Sequence, residues 1–188
     1  MNRVPNALPL SSEDTVSLIQ QHLRCKRAGW LSVLVVTAAF KAAKIRRFNN
    51  EQGGPFGDIQ ISIPSGHKMV TRCEMKNKTV QQGDIDRALQ KIAAQGKHVQ
   101  NYIFITTEPV TDDVREYARS KYDETGGVEI AILDCVGFLR HFLHLFHRLR
   151  KDFLDQYQVL VLKEHDSAVS QALKEAFLAL RQAAESAD

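Results

Sequence analysis

Glu74 and Lys76 stand at alternate positions of the run VTRCEMK, and Asp58 heads the run DIQIS a hairpin's length upstream. Residues i and i+2 of a strand point to one face. An extended VTRCEMK therefore presents the carboxylate and the amine together and turns Cys73 and Met75 the other way, where they can pack into a core beneath helices. By the same alternation Asp58 and Gln60 lie on the face away from Ile59, Ile61 and Ile63. Two carboxylates brought to one spot repel and raise each other's pKa unless a hard, oxygen-seeking cation lies between them. Magnesium meets that description: it takes one or two carboxylates, keeps several waters and accepts phosphate oxygens as further ligands. There it acidifies a bound water and neutralises charge on a phosphate. A neighbouring lysine orients that water, helps deprotonate it, or stabilises the pentavalent transition state as a point charge. Asp58, Glu74 and Lys76 thus supply the parts of metal-assisted phosphodiester hydrolysis, provided the strands pair so that Asp58 meets the other two. The length of the turn between them leaves that register open.

Such a site needs elements to hold it. Ser11 and Ser12, followed by Glu13 and Asp14, predict a helix start, and Val16, Ile19 and Leu23 recur at helical spacing, so a first helix runs to about Arg24. After Gly29, LSVLVVTAAFKAAKIRR is read as a second helix on its Ala-rich second half, although its β-branched opening also suits a strand. NNEQGGPFG is a loop by composition. Ile59, Ile61 and Ile63 alternate with Gln60 and Ser62 as in a half-buried strand, PSGHK supplies a turn, and Val70 to Lys76 returns to complete a hairpin. Ile85, Leu89 and Ile92 place a helix on GDIDRALQKIAAQ, and NYIFITT then reads as a buried strand. A helix over Glu108 to Tyr122 and a second buried strand, VEIAILD, follow. From Val136 onward the pattern is helical through VGFLRHFLHLFHRLRKDFLDQYQVLVL, with a last amphipathic helix from about Asp166 to Ala184. This order predicts an α/β fold: a mixed central β-sheet flanked by helices, with helical N- and C-terminal extensions.

The 188 residues, 44% hydrophobic and 25% charged, suit a single globular domain, with a core over about 28–135 and C-terminal helices over about 136–186. A formal net charge of +3 says little about nucleic acid, so the placement of charge has to decide. No acidic residue occurs from Thr15 to Asn50, while Arg24, Lys26, Arg27, Lys41, Lys44, Arg46 and Arg47 all fall there. That run is either a phosphate-facing surface or a solvated helix face. Cys25, Cys73 and Cys135 form no CxxC pair and read as reduced core thiols of a cytoplasmic protein. The N-terminus lacks a basic segment leading into a long apolar run, and no apolar stretch is long enough to span a bilayer, so neither secretion nor a membrane partner is expected.

Asp58 in GDIQI, followed by Glu74-Met75-Lys76 with its apolar middle residue, resembles the PD-(D/E)XK nuclease superfamily, the fold group of many type II restriction endonucleases. The resemblance covers about residues 28 to 135, in element order as well as motif, with Gly57 where the family name has Pro. It implies a restriction-endonuclease-like fold and magnesium-dependent hydrolysis of DNA, with manganese able to substitute. Asp58, Glu74 and the main-chain carbonyl of Met75 would be the metal ligands, and Lys76 would act on the attacking water. Many relatives carry a further acidic residue on the helix before the loop. Lys41 to Arg47 offers none, and Glu51 is the nearest candidate. The resemblance also implies a type II restriction endonuclease or a nuclease domain of a related defence or repair enzyme, working on DNA as a homodimer or as part of a larger nuclease. Lys44, Arg46, Arg47 and Lys78 are then candidate phosphate contacts.

Other readings compete with this one. Glu74 and Lys76 also suit a structural ion pair on a strand of an unrelated α/β protein. A catalytically inactive DNA-binding or assembly module of the same fold would keep the architecture without the reaction. His141, His144 and His147 follow HxxHxxH on the expected helix, but they spread around its surface beside the apolar stripe of Phe142, Leu145, Phe146 and Leu149. They read as flank positions rather than a ligand set, with His147 and Arg148 in reach of a phosphate. Asp84, Asp86 and Arg87 in GDIDR read as helix capping. Gln90 and Lys91, one turn on, lie where relatives sometimes orient DNA or the active-site lysine.

Overall fold

Ser11 opens α1 (Ser12–Leu23) by accepting a hydrogen bond from the Asp14 N–H at 3.1 Å, and Glu13 and Asp14 complement the positive end of the helix dipole. The structure is a computed structural model that describes residues 10–26, 29–44, 48–50, 59–62, 70–76, 78–94 and 99–186, with the backbone alone at 48–50, 59–62 and 70. The run LSVLVV is helical. It forms α2 (Leu31–Ala42), buried over nearly its whole circumference, where β-branched residues pack as well as they would in a strand. This helix stops earlier than its composition suggests. Lys44 takes a left-handed conformation at φ 55, which ends the helix, and Arg46 and Arg47 lie outside the described residues.

The chain forms two compact units, Met1–Ala43 with Leu139–Asp188, and Lys44–Phe138. The expected core of about residues 28–135 thus has α2 in the first unit and all the strands in the second. In the first unit α2 packs on α6 (Arg150–Lys163), and α1 packs on α6 and α7 (Gln171–Ser186). Val16, Ile19, Leu34, Phe153, Tyr157 and Phe177 are fully buried there. The expected continuous helix after Val136 is broken: α5 (Cys135–Leu145) ends where Phe146 leaves helical geometry at φ −117, ψ 48, and a 3₁₀ turn over His147–Leu149 leads into α6. An apolar stripe runs unbroken through such a bend, which is why periodicity does not show it.

The second unit is built on a sheet in the order β1 (Phe48–Asn50), β2 (Ile59–Ser62), β3 (Val70–Lys76), β4 (Val99–Thr106), β5 (Glu129–Asp134). The first three strands run antiparallel, and β3, β4 and β5 run parallel. Parallel neighbours require crossovers, supplied by α3 (Gln82–Ala94) and α4 (Asp112–Glu124). The expected hairpin is β2 and β3. Asn49 and Asn50, read as loop, belong to β1, because their edge pairing with Gln60 and Ile59 depends on a partner distant in sequence. The remainder of that loop, 51–57, the expected strand positions Asp58 and Ile63, and the turn at 64–68 lie outside the described residues. Both crossover helices pack on one face: Ile85 and Ala88 of α3 and Val114 and Ala118 of α4 cluster with Tyr102, Phe104, Ile130 and Ile132. Gly126 and Gly127, at φ 70 and φ 111, end α4 and turn the chain into β5. No helix among the described residues is long and apolar enough to cross a membrane.

Asp134 closes β5 and caps α5, its Oδ2 accepting the Gly137 N–H at 2.5 Å. A Cβ on Gly137 would stand 2.8 Å from that oxygen. Gly137→Ala is therefore expected to push the carboxylate off its cap, which costs about 1 kcal/mol and outweighs the gain in helix propensity at this first-turn position. In an Asp134→Ala background the same substitution should change sign and stabilise by about 0.5 kcal/mol. Urea midpoints of the four proteins in the cycle check both signs.

Candidate active site

Alternation along β3 places Arg72, Glu74 and Lys76 on one face, and the parallel register sets Arg72 beside Tyr102, Glu74 beside Phe104 and Lys76 beside Thr106. That is the face packed by α3 and α4. Cys73 and Ile105 point to the opposite face and are buried too. Cys73 is buried as expected and Met75 half-buried, but the crossover helices cover the other face, the one that carries Glu74 and Lys76. The pair sits at the end of the helix-covered face, because both crossover helices lie on the side to which the even-numbered residues of β3 point.

Glu74 and Lys76 are drawn together at this strand end. The Lys76 Nζ forms an ion pair with Glu74 Oε1, and the Tyr102 hydroxyl donates to Glu74 Oε2. A second carboxylate meets the same amine: Asp84 Oδ1 lies 3.4 Å from Lys76 Nζ. Asp84 sits in the first turn of α3, where its Oδ2 accepts the Gln81 N–H at 3.0 Å and its Oδ1 accepts from Arg87 Nη2 at 2.5 Å. Its side chain is only 1% exposed, against 16% for Glu74 and 18% for Lys76. Two more bonds tie down the end of β4: the Thr106 hydroxyl donates to the Lys78 carbonyl at 3.1 Å, and the Glu108 N–H donates to the Thr106 hydroxyl at 3.0 Å.

The electrostatics follow from burial and partners. Burial works to discharge Lys76, but its hydrogen bond and attraction to Glu74, and then Asp84, outweigh it and hold the ammonium above the ordinary lysine pKa. Burial also opposes the charge on Asp84. The Gln81 amide, Arg87 and Lys76 overcome it and hold that carboxyl below the usual aspartate value. Lys76 is thus a permanent cation in this arrangement, suited to donate hydrogen bonds and offset negative charge rather than to take up a proton.

The capping role expected of Asp84 is present, and Asp84 also completes the lysine's surroundings, which sequence did not reveal. Tyr102 was missed as well. The available signals were an aspartate at the start of the helix that follows the strand, and a tyrosine beside the apolar run IFI of β4. Asp86 does not cap α3; it accepts from the Tyr117 hydroxyl at 2.6 Å. Met75 is half-buried on the face away from Glu74. Lys44 and Lys78 are exposed, as are Gln90 and Lys91 on α3. Asp58, Glu51, Arg46 and Arg47 lie outside the described residues. His144 pairs with Glu13, Nε2 to Oε1 at 2.7 Å, and His147 falls beyond the end of α5, so the three histidines do not converge as a ligand set.

The donor chemistry at Glu74 fits a hard divalent cation. Each of its oxygens accepts one hydrogen bond, and an ionised carboxylate offers about four lone-pair sites, so acceptor capacity remains. Oxygen donors are what magnesium prefers. Among the described residues no group of three or more His, Cys, Asp or Glu could hold a metal ion. Fold and site together define a mixed α/β protein with a carboxylate–lysine cluster at the C-terminal end of its central strand. No family model matches the chain, and no curated protein matches it.

Proposed function

We propose that the chain is a magnesium-dependent nuclease of restriction-endonuclease-like fold that hydrolyses DNA phosphodiesters, with Asp58 and Glu74 as metal ligands. The observation that carries this reading is the β2–β3 register. Ile59, the residue after Asp58, is paired with Cys73, the residue before Glu74. One further step of that antiparallel ladder, beyond the described residues, would set Asp58 opposite Glu74. The element order around them, a hairpin followed by a helix and a parallel strand, also supports the reading. Bound between the acids and the Met75 carbonyl, magnesium would supply a polarised water and charge neutralisation at the phosphate, and manganese would do the same.

The chain's own residues do the rest. Lys76, kept protonated, donates to the attacking water or to a phosphate oxygen and offsets the charge that develops there. The Tyr102 hydroxyl holds the Glu74 carboxylate in one orientation. Lys44, Arg46, Arg47 and Lys78 meet the DNA backbone, so binding weakens steeply with salt. A homodimer, or a place within a larger nuclease, would bring a second site to the other strand.

The test is cleavage of duplex DNA with and without magnesium, by the wild type and by Asp58→Ala and Lys76→Ala. Metal-dependent cutting that both substitutions abolish is the expected result. A second reading is favoured by the Glu74–Lys76–Asp84 network, whose charges already satisfy one another: an inactive DNA-binding or assembly module of the same fold. Uncut DNA with salt-sensitive binding retained would support that module. Lack of any salt-sensitive DNA affinity would remove the nucleic-acid role altogether.

A further inference from the structure

Lys76 is held from two sides, and only one of its partners belongs to the proposed ligand set. Glu74 grips the ammonium within β3, while Asp84 reaches it at 3.4 Å from the first turn of α3. Resting on the nuclease reading, we infer that Asp84 is a positioning residue that keeps the Lys76 ammonium at the end of β3 while Glu74 is engaged by a divalent cation. A carboxylate shared between a cation and an ammonium holds each less firmly. A lysine on a flexible four-carbon stem then needs a second anchor to stay aimed.

Asp84 is built for that task. Its Oδ2 is fixed by the Gln81 N–H at 3.0 Å and its Oδ1 by Arg87, so the carboxylate cannot turn away from Lys76 without losing both. Its side chain is 1% exposed, so water does not screen the attraction appreciably. The βα connection supplies the geometry: the helix that follows β3 begins beside the end of that strand. Loss of the charge on Asp84 would return Lys76 wholly to Glu74, where it competes with the cation.

The experiment uses the full chain with Asp84→Asn, which keeps an oxygen for the Gln81 N–H but removes the charge. Asp86→Asn serves as control, since it weakens the bond from α3 to Tyr117 and carries neither contact of Lys76. Asp84→Asn is expected to weaken calorimetric magnesium binding about threefold or more. It should lower kcat for magnesium-dependent cleavage about tenfold or more, with KM for DNA held within about twofold. Asp84→Glu should recover part of each loss, and Asp86→Asn should change neither. Metal affinity and kcat in Asp84→Asn equal to those of Asp86→Asn would overturn the positioning role. Wild-type protein that binds magnesium yet leaves DNA uncut would sink the nuclease reading alone, because the calorimetric comparison still reads Asp84. Wild-type protein that binds no magnesium would overturn both.

Discussion

Lys76→Met is expected to cut the rate of magnesium-dependent DNA cleavage by about 100-fold or more, with DNA affinity, measured in calcium so that no cutting occurs, held within about threefold. Methionine keeps the length and much of the volume of the stem, so the loss reports the ammonium. The fold should survive. Asp84 retains Arg87 and the Gln81 N–H, and Glu74 retains the Tyr102 hydroxyl, so the expected cost in stability is about 1–2 kcal/mol. Lys76→Arg should fail to restore the rate despite its charge. A planar guanidinium matches one carboxylate in bidentate fashion, whereas the lysine stands between Glu74 and Asp84 as a point charge. Removing the competing cation frees Glu74, so Lys76→Met is also expected to bind magnesium more tightly than the wild type. A variant that still cuts DNA within a few-fold of the wild-type rate would leave Lys76 as a structural cation.

The largest effect on stability is expected at His22, which is fully buried and contacts Tyr157 of α6 and Leu173 of α7. The Leu173 carbonyl, 2.9 Å from Nε2, can only accept, so Nε2 carries the proton and Nδ1 accepts from the Tyr157 hydroxyl at 3.0 Å. Tyr157 and Phe177 flank the ring at centroid distances of 5.9 and 5.3 Å. His22→Ala would open a cavity beside Tyr157 and Phe177 and remove two buried hydrogen bonds, for an expected loss of about 3–5 kcal/mol. Burial lowers the His22 pKa, with the Leu173 carbonyl pulling in the opposite direction. The neutral ring is therefore the folded form. Its contribution is fully present above the unfolded value of about 6.5 and is lost as pH falls from there through the depressed folded value, at up to about 1.4 kcal/mol per pH unit. His22→Leu, which fills the space but cannot titrate, should be less stable than the wild type at pH 8 and lose less on acidification to pH 5. Urea midpoints at the two pH values decide it, and parallel pH slopes would exclude His22 as the source.

Two of the three cysteines lie in the core as expected, whereas Cys25, just past the end of α1, is only partly buried. Cys73 and Cys135 are buried, and desolvation, reinforced by the neighbouring Asp134 charge, pushes the Cys135 thiol up to about 12, so it stays protonated and inert.

Much of the architecture is written locally. The alternation of Ile59 and Ile61 with Gln60 and Ser62 marks a strand. The recurrence of Ile85, Leu89 and Ile92 marks α3, and Ser11 ahead of two acids marks the start of α1. Each signal spans a few residues and needs nothing from elsewhere in the chain. The pairing of Glu74 with Lys76 was legible for the same reason, since i and i+2 of a strand always share a face. Contacts between distant segments were not legible. Which face of β3 the crossover helices cover, where Asp84 meets Lys76, how Tyr102 reaches Glu74 from the next strand, and which Cα partners align β2 with β3 all depend on register and burial. The bend at Phe146 and the edge strand at Asn49 and Asn50 belong to the same class. Periodicity assigns a residue to an element and a side of it, but only packing selects which of two equivalent sides turns inward and which charges are left beside one another when water is removed.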